Sequence, residues 1–384
     1  MFMSIGEINT SIRWLIENAS PPVRYLTHKH ILKTDCQSKF MQELWRDVEC
    51  SSGAEEIFSR QNEDGSWFSS GPWGPKGYRQ QTGRGYTLSR PKFVTTAWIL
   101  PFLGEMGFTA VNDTVADERI RQSCEYMLDT LQETGFQDHR PDLPPQAVNC
   151  CGLYAIPLRA FASVGMAADE RLQGGWDWLT RCQRTDGGWL NPNHLADSRT
   201  PSRTRGRWPW DRSCVWGSFF AVQALFYAEN VAARRALPAA LEFLRWHLLQ
   251  KDPEHIQTWL YHGHNMVKEL LMFSAAGFDM QAQPFPVLLD WLKGYYRPSE
   301  GVFRTQEKPI SNFVRHVSAI RREFEQKYGA DYWSTVAKTS APVLRYHLYH
   351  LAEDDWLTYY LIRIALNMIS EKSREELNRI RQEQ

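Results

Sequence analysis

The feature that most constrains the fold of this chain is a pattern that recurs five times along it. In each copy, a helical segment ends at or near a Gln or Arg and is followed by a polar or glycine-containing turn. These segment ends are Gln61, Gln132, Gln183, Gln250 and Arg297. Successive ends lie 47 to 71 residues apart. A repeat of this length predicts stacked helical hairpins, because each hairpin buries its apolar face only against its neighbours.

A second and more apolar helix is predicted after each turn. The apolar segments lie near residues 93–107, 148–165, 213–229, 262–277 and 353–369. The first four end close to residues that suit a left-handed helix cap, namely Gly107, Gly165, Asn230 and Gly277. Residues 213–228 carry no charge, whereas 118–132 carry several, so the apolar helices are expected inside and the amphipathic ones outside.

These two helix types predict an all-α fold with concentric inner and outer rings. Five or six hairpins would close into an α/α toroid, and an open solenoid is the alternative. The N-terminal segment 10–33 would supply a further helix, with Pro21 and Pro22 breaking it. No Pro/Ser-rich linker divides the sequence, so residues 1–384 are predicted to form a single domain.

Composition excludes some functions and favours others. Lys and Arg total 44 and Asp and Glu total 44, so the balanced charge argues against a nucleic-acid partner. Sixteen Trp residues favour a large apolar cavity or an aromatic-lined groove. Seven Cys residues without a regular framework indicate a reducing compartment. Without an evident signal peptide, we expect a cytoplasmic protein; a peripheral membrane contact through the apolar segment 213–228 stays open.

Two turns share the motif Q-x-x-D-G-[SG]-W, at Gln61–Trp67 and at Gln183–Trp189. In such a turn, Gln bonds backbone groups across the loop and Asp accepts from the following N–H groups. Glycine permits a positive φ, and Trp packs on the end of a neighbouring helix. The motif itself is expected to brace the fold rather than to mark an active site.

The motif resembles the QW repeat of squalene and oxidosqualene cyclases, within the superfamily of terpenoid cyclases and protein prenyltransferases. Two full matches and two or three degraded ones cover most of residues 55–305. The resemblance implies an α/α toroid whose inner helices begin at an apolar cavity. It also implies an isoprenoid-processing enzyme that acts on a long apolar substrate, which could carry a diphosphate.

Cyclases of this superfamily protonate an alkene or epoxide with an acid in a D-x-D-D motif. The nearest segment here reads Ala352-Glu353-Asp354-Asp355, with Ala352 in place of the first Asp. The resemblance places Asp354 at the proton donor, with Asp355 supporting it, because paired carboxyl groups can share one proton. A role as helix caps is the structural alternative for both residues.

Protein prenyltransferases instead bind zinc through an Asp-x-Cys pair and a later His. Here the resemblance points to Asp211, Cys214 and His262, although Asp211 and Cys214 are one residue further apart than in that pattern. His264, two residues on, is a further candidate catalytic residue, and Cys151 is an alternative thiolate. Buried cysteines and hydrogen-bonded histidines are the alternative interpretation.

Two basic loops precede predicted inner helices and are expected at one rim of the cavity. Arginine forks suit phosphate groups, so these loops could bind a diphosphate, with solvated loops as the alternative. The candidate substrate-binding residues in them are Arg79, Arg84, Arg205, Arg207, Trp208 and Trp210.

Two other functions remain open at the level of the sequence. A different (α/α) toroid enzyme, such as a polysaccharide lyase, would stack aromatic side chains on sugars and bind uronate with arginine. A non-catalytic relative that binds an apolar ligand would keep the bracing turns without the chemistry.

Overall fold

The structure, a computed structural model, describes residues 2–67, 95–111, 115–134, 151–189, 213–228, 231–249, 266–304, 322 and 354–382. These residues are predominantly helical, which confirms the all-α class. The α-helices are α1 Ile5–Asn18, α2 Pro21–Leu26, α3 Lys39–Glu49, α4 Ser52–Phe58, α5 Thr96–Met106, α6 Val115–Thr134, α7 Cys151–Ser163, α8 Gln173–Cys182, α9 Val215–Tyr227, α10 Leu237–Leu249, α11 Met266–Ala275, α12 Phe285–Lys293, α13 Asp354–Met368 and α14 Glu371–Gln382.

Three shorter helical segments complete the described helices. Helix α2 continues directly into a π-helical segment, Thr27–Leu32, and 3₁₀ segments at Glu170–Leu172 and Ala232–Ala236 lead into α8 and α10. In the described part of the chain, regular sheet is limited to an antiparallel pair, β1 Tyr296–Arg297 and β2 Val302–Phe303.

The chain divides into two compact units. The first unit comprises residues 1–55, 249–334 and 344–384, and the second comprises residues 56–248 and 335–343. The prediction of one domain over residues 1–384 stays a prediction.

The core of the second unit is a row of three apolar helices, in which α7 packs against both α5 and α9. Gly104 of α5 lies so close to α7 that a β-carbon there would stand 2.4 Å from the carbonyl oxygen of Ser163. The absence of a side chain at Gly104 therefore allows the two helix backbones to approach closely.

The core of the first unit is a similar row. Helix α13 packs against α11 and also against α1 and α2. Leu357, Leu361, Ile362 and Ile364 of α13 are fully buried. Apolar side chains around most of the helix circumference explain why α13 lies inside the unit.

The predicted distinction between apolar and amphipathic helices is confirmed. Nearly every described side chain of α5, α7, α9 and α11 is buried, whereas α6, α8 and α10 alternate buried with exposed positions. Three predicted left-handed glycines follow the apolar helices, with φ of +108° at Gly107, +85° at Gly165 and +80° at Gly277. Asn230 lies outside the described residues.

The predicted break in the N-terminal segment is also confirmed. Helix α1 ends at Asn18, and α2 begins at Pro21, where proline is compatible with the first helical turn. None of the helices that the structure describes combines the length and apolarity needed to cross a membrane.

Candidate functional site

Three turns of the molecule share one geometry. We name them turn A, Gln61–Trp67, turn B, Gln183–Trp189, and turn C, Arg297–Phe303. Turns A and B carry the full sequence motif and belong to the second unit, whereas turn C belongs to the first unit. Each lies between a helix that precedes it, α4, α8 or α12, and a buried helix that follows later in the chain.

The glycine of each turn has a left-handed backbone and lies against another helix. Its φ is +81° at Gly65, +88° at Gly187 and +75° at Gly301. A β-carbon at these positions would come within 2.6, 2.1 and 2.6 Å of the nearest atom of that helix. The residues met are Gln122 in α6, Ala239 in α10 and Thr10 in α1.

The aromatic residue that ends each turn is tied to a buried helix by its backbone. The N–H of Trp67 donates to Thr96 Oγ1 at 3.1 Å, and that of Trp189 donates to Ser218 Oγ at 2.9 Å. In turn C, the N–H of Phe303 donates to Thr358 Oγ1 at 3.0 Å. These hydroxyl groups belong to α5, α9 and α13.

The Gln of turns A and B binds backbone carbonyls on two sides. Gln61 Nε2 donates to Gly65 O at 3.2 Å and to Arg119 O in α6 at 2.8 Å. Gln183 Nε2 donates to Gly187 O at 2.9 Å and to Ala236 O at 2.8 Å. The predicted role of Gln across the turn is confirmed.

Turn C contacts a backbone carbonyl of its neighbouring helix through a different side chain. Tyr296, one residue before the turn, donates its hydroxyl to Glu7 O in α1 at 3.3 Å. Glu7 precedes Thr10 by three residues, as Arg119 precedes Gln122. Turn C therefore binds α1 in the way that turn A binds α6.

Asp354 and Asp355 begin α13 but have different partners. Arg304 Nη1 donates to Asp354 Oδ2 at 3.0 Å, and the Asp354 side chain is 27% exposed. Asp355 Oδ2 accepts from the Ser20 N–H at 2.9 Å and from Ser20 Oγ at 2.5 Å. Asp355 therefore joins the start of α13 to the start of α2. The proton-donor role of Asp354 stays a prediction.

Cys214 lies at the N-terminal cap of α9, with a half-buried side chain. Within the described ranges, no three His, Cys, Asp or Glu side chains are grouped as a metal site would require. The other residues of the predicted sites lie outside the described part of the chain. They are His264, Arg79, Arg84, Arg205, Arg207, Trp208, Trp210, Asp211 and His262.

The structure also reveals a buried acid that the sequence analysis missed. Glu269 lies in the first turn of α11 and is 1% exposed, and neither carboxyl oxygen has a hydrogen-bond partner among the described residues. Burial raises the pKa of Glu269 to about 8, so the carboxyl group is largely protonated at neutral pH. Its position beside Lys268 in a largely apolar helix gave no signal in the sequence beyond two adjacent charged residues.

The second unit contains a buried cation with a different environment. Arg159 of α7 is 3% exposed, and its Nη1 donates to Gln223 Oε1 at 3.0 Å. Its guanidinium carbon lies 5.2 Å from the centre of the Trp98 ring and 4.7 Å from that of Phe220. Cation–π contacts and the hydrogen bond stabilise this charge between α5, α7 and α9.

Comparison with known proteins does not assign this chain to a family. A scan of the sequence against protein-family models finds no matching family, and a search of curated proteins finds no significant relative.

Proposed function

We propose that the chain is an isoprenoid-processing enzyme with an α/α toroid fold, similar to terpenoid cyclases and protein prenyltransferases. The observation that carries the proposal is the shared geometry of turns A, B and C. Their glycine contacts, aromatic N–H bonds and carbonyl contacts recur in all three turns, and turns A and B also carry the Gln and Trp of the QW repeat.

The contacts of turn C support the closed form over an open solenoid. Turns A and B each bind the outer helix of the next hairpin, α6 and α10. Turn C, the last of the three, binds α1 near the N-terminus instead. In a toroid of six hairpins, α1 is the next outer helix after α12, whereas an open solenoid gives no reason for this contact.

The substrate that we propose is a long apolar molecule, which could carry a diphosphate. The inner helices are lined with large apolar and aromatic side chains, and α9 has no charged residue. An apolar chain buried among such helices is favoured by roughly 25 cal/mol per Å² of surface removed from water.

The proposed chemistry is proton-initiated, with Asp354 as the acid. Asp354 is accessible and bound to Arg304, so protonation of this carboxyl group requires the ion pair to open. Asp355 fits the supporting role, because its bonds to Ser20 fix the start of α13. A zinc-dependent prenyl transfer through Asp211, Cys214 and His262 is the alternative within the same superfamily.

The direct test is incubation of the purified protein with squalene and, separately, with geranylgeranyl diphosphate, followed by mass spectrometry of the products. If Asp354 is the acid, Asp354→Asn should reduce turnover about 100-fold or more, because general-acid catalysis contributes at least that factor. Asp355→Asn should have a smaller effect. Glu376→Gln, on the exposed surface of α14, is the matched control and should leave turnover unchanged.

Arg304→Gln separates a catalytic from a structural role of Asp354. It breaks the same ion pair but leaves the carboxyl group, so turnover should be kept or increased if Asp354 donates the proton. Equal losses in Asp354→Asn and Arg304→Gln would show that only the ion pair matters. Binding of either probe without any product would favour the non-catalytic relative instead.

A further inference from the structure

The residue that precedes α2, Ser20, does not use its side chain in the usual way for the start of a helix. A serine at this position normally accepts a hydrogen bond from the second or third backbone N–H of its own helix. The side chain of Ser20 makes no such bond, and α2 begins with Pro21 and Pro22, neither of which has an N–H group. Capping of α2 therefore does not explain the Ser20 side chain.

Both hydrogen-bond donors of Ser20 instead bind one carboxyl oxygen at the start of α13. The Ser20 N–H donates to Asp355 Oδ2 at 2.9 Å, and the Ser20 hydroxyl donates to the same oxygen at 2.5 Å. The other carboxyl oxygen, Asp355 Oδ1, accepts from the N–H of Trp356 at 2.8 Å. These bonds hold the Asp355 carboxyl group on the side of α13 that faces α2.

Asp354 lies on a different side of the same helical turn. Successive residues of an α-helix are separated by about 100° around the axis, so Asp354 and Asp355 point in different directions. Thr358 follows Asp354 by four residues and shares its face. Thr358 Oγ1 accepts from the Phe303 N–H of turn C at 3.0 Å, and the next residue, Arg304, donates to Asp354 Oδ2 at 3.0 Å. This face of α13 is therefore turned toward the end of turn C.

Two anchors thus fix the rotation of α13 about its own axis. Turn C holds one face of the helix through Thr358, and α2 holds another face through Asp355. A helix that is held on one face can still turn about that contact, whereas contacts on two faces prevent the rotation. Ser20 supplies the second anchor from a position 335 residues away in the sequence. The direction of the Asp354 carboxyl group therefore depends on Ser20.

We propose that Ser20 is a positioning residue for the acid, acting through Asp355 to direct the Asp354 carboxyl group toward the substrate. The inference rests on the proposed proton-initiated function, in which Asp354 is the acid. An acid must lie within hydrogen-bond reach of the atom that it protonates, and a displacement of about 1 Å can cost about 100-fold in rate. Ser20 itself contacts no reacting atom in this role.

A purely structural role for the Ser20 hydrogen bonds is the simpler explanation. In that case, loss of the hydroxyl group lowers the stability of the fold but leaves the activity of each folded molecule unchanged. A positioning role instead lowers kcat in folded protein, because the acid is present but misdirected. Rate measurements on folded protein therefore separate the two explanations.

Steady-state kinetics of Ser20→Ala in the full chain, with squalene and with geranylgeranyl diphosphate, test the positioning role. We expect kcat to fall about tenfold or more while KM stays unchanged, because only the direction of the acid is altered. Ser20→Thr keeps the hydroxyl group and should restore most of kcat. Circular dichroism of each variant establishes that it is folded. Ser20→Gly removes the hydroxyl group at a smaller cost to a helix start, and it provides a second variant if Ser20→Ala does not fold.

Ser38→Ala is the matched control for the loss of a serine hydroxyl group at a helix start. Ser38 precedes α3 in the same unit, and its Oγ accepts from the Met41 N–H at 3.3 Å. Removal of this cap should lower stability and leave kcat unchanged.

A double variant tests whether Ser20 acts through Asp355. In an Asp355→Ala background, the additional change Ser20→Ala should cause no further loss of kcat, because the carboxyl group that it anchors is already absent. Additive losses in the double variant would show that Ser20 does not act through Asp355, which contradicts the proposal.

The outcomes distinguish a failure of the positioning role from a failure of the proposed function. A kcat of Ser20→Ala equal to that of the unaltered chain would refute the positioning role alone. Equal losses in Ser20→Ala and Ser38→Ala, or a Ser20→Thr variant as slow as Ser20→Ala, would refute it as well. If the unaltered chain forms no product from either probe, the proposed function fails, and the positioning role fails with it.

Discussion

Turns A and B make their contacts with the residues of the full motif, whereas turn C makes similar contacts with different side chains. Gln183 and its counterpart Gln61 reach both their own turn and the next helix. In turn C, Arg297 stands at the Gln position, and Tyr296 supplies the contact to α1. What all three turns retain is the left-handed glycine and the aromatic N–H bond to a helix hydroxyl.

This comparison teaches that backbone geometry is more restrictive than side-chain chemistry in these turns. A carbonyl group can accept a hydrogen bond from an amide or from a phenol, so Gln can be replaced. A left-handed backbone pressed against a neighbouring helix leaves no room for a β-carbon, so glycine cannot be replaced without strain.

The two units also differ in the surroundings of a buried titratable side chain. In the second unit, Arg159 has Gln223 and two aromatic rings around it. In the first unit, Glu269 is equally buried but has no hydrogen-bond partner among the described residues. An unsatisfied buried polar group costs stability, roughly 1–3 kcal/mol, so the Glu269 carboxyl group is expected to destabilise the fold where it lies.

Replacing the turn glycines should have the largest effect and should rank the turns. Gly187→Ala would place a β-carbon 2.1 Å from Ala239 O at a φ of +88°, so we expect a loss of about 3–5 kcal/mol in unfolding free energy. Gly301→Ala should cost less, because the nearest atom there is the Thr10 methyl group. Chemical denaturation of each variant measures the ranking.

Gly277→Ala is the matched control for this series. Its φ is +80°, but nothing lies within 4 Å of an added β-carbon, so only the backbone cost of about 1–2 kcal/mol applies. If Gly187→Ala and Gly277→Ala cost the same, close packing is not what distinguishes the turns.

The helix burial and the helix ends could be predicted because the sequence features that determine them are local. A run without charges between residues 213 and 228 leaves α9 no polar face to present to water, so its burial follows. Gly107, Gly165 and Gly277 end helices because glycine adopts a left-handed backbone at little cost. The break at Pro21 follows in the same way from the missing N–H.

The second largest expected effect is a dependence of stability on pH, which the buried carboxyl group of Glu269 should cause. Because the folded-state pKa of Glu269 is raised to about 8, the folded chain binds this proton more tightly than the unfolded chain. The unfolding free energy should therefore fall as pH rises from about 4.5 to 8, by about 1.4 kcal/mol per pH unit from this group.

Glu269→Gln should remove this part of the pH dependence, because the amide cannot ionise. Denaturation of both proteins at pH 6 and pH 7 gives the difference, and Glu376→Gln at an exposed site is the control. Parallel pH profiles of Glu269→Gln and the unaltered chain would show that Glu269 has a partner in solution, and the contrast with Arg159 would disappear.

The candidate sites were harder to predict because their contacts join distant residues. Asp355 was assigned from a resemblance to an acid motif, yet it binds Ser20, 335 positions away. Glu269 looked like an ordinary charge, because a sequence does not show which side of an apolar helix lacks partners.

The smallest expected effect is the loss of stability on replacing Tyr296 of turn C, compared with the loss on replacing Gln183 of turn B. Tyr296→Phe removes one long hydrogen bond, 3.3 Å, and leaves the buried ring in place, so we expect a loss of about 0.5–1 kcal/mol. Gln183→Leu removes two shorter bonds, to Gly187 O and Ala236 O, and should cost about 1–3 kcal/mol. The Lys293–Glu7 ion pair still holds α1 in the Tyr296 variant, which limits its loss further. Thermal unfolding of the two variants under one condition decides the order. A larger loss for Tyr296→Phe would mean that turn C depends on Tyr296 more than turn B depends on Gln183. Backbone geometry would then not be the more restrictive feature of turn C.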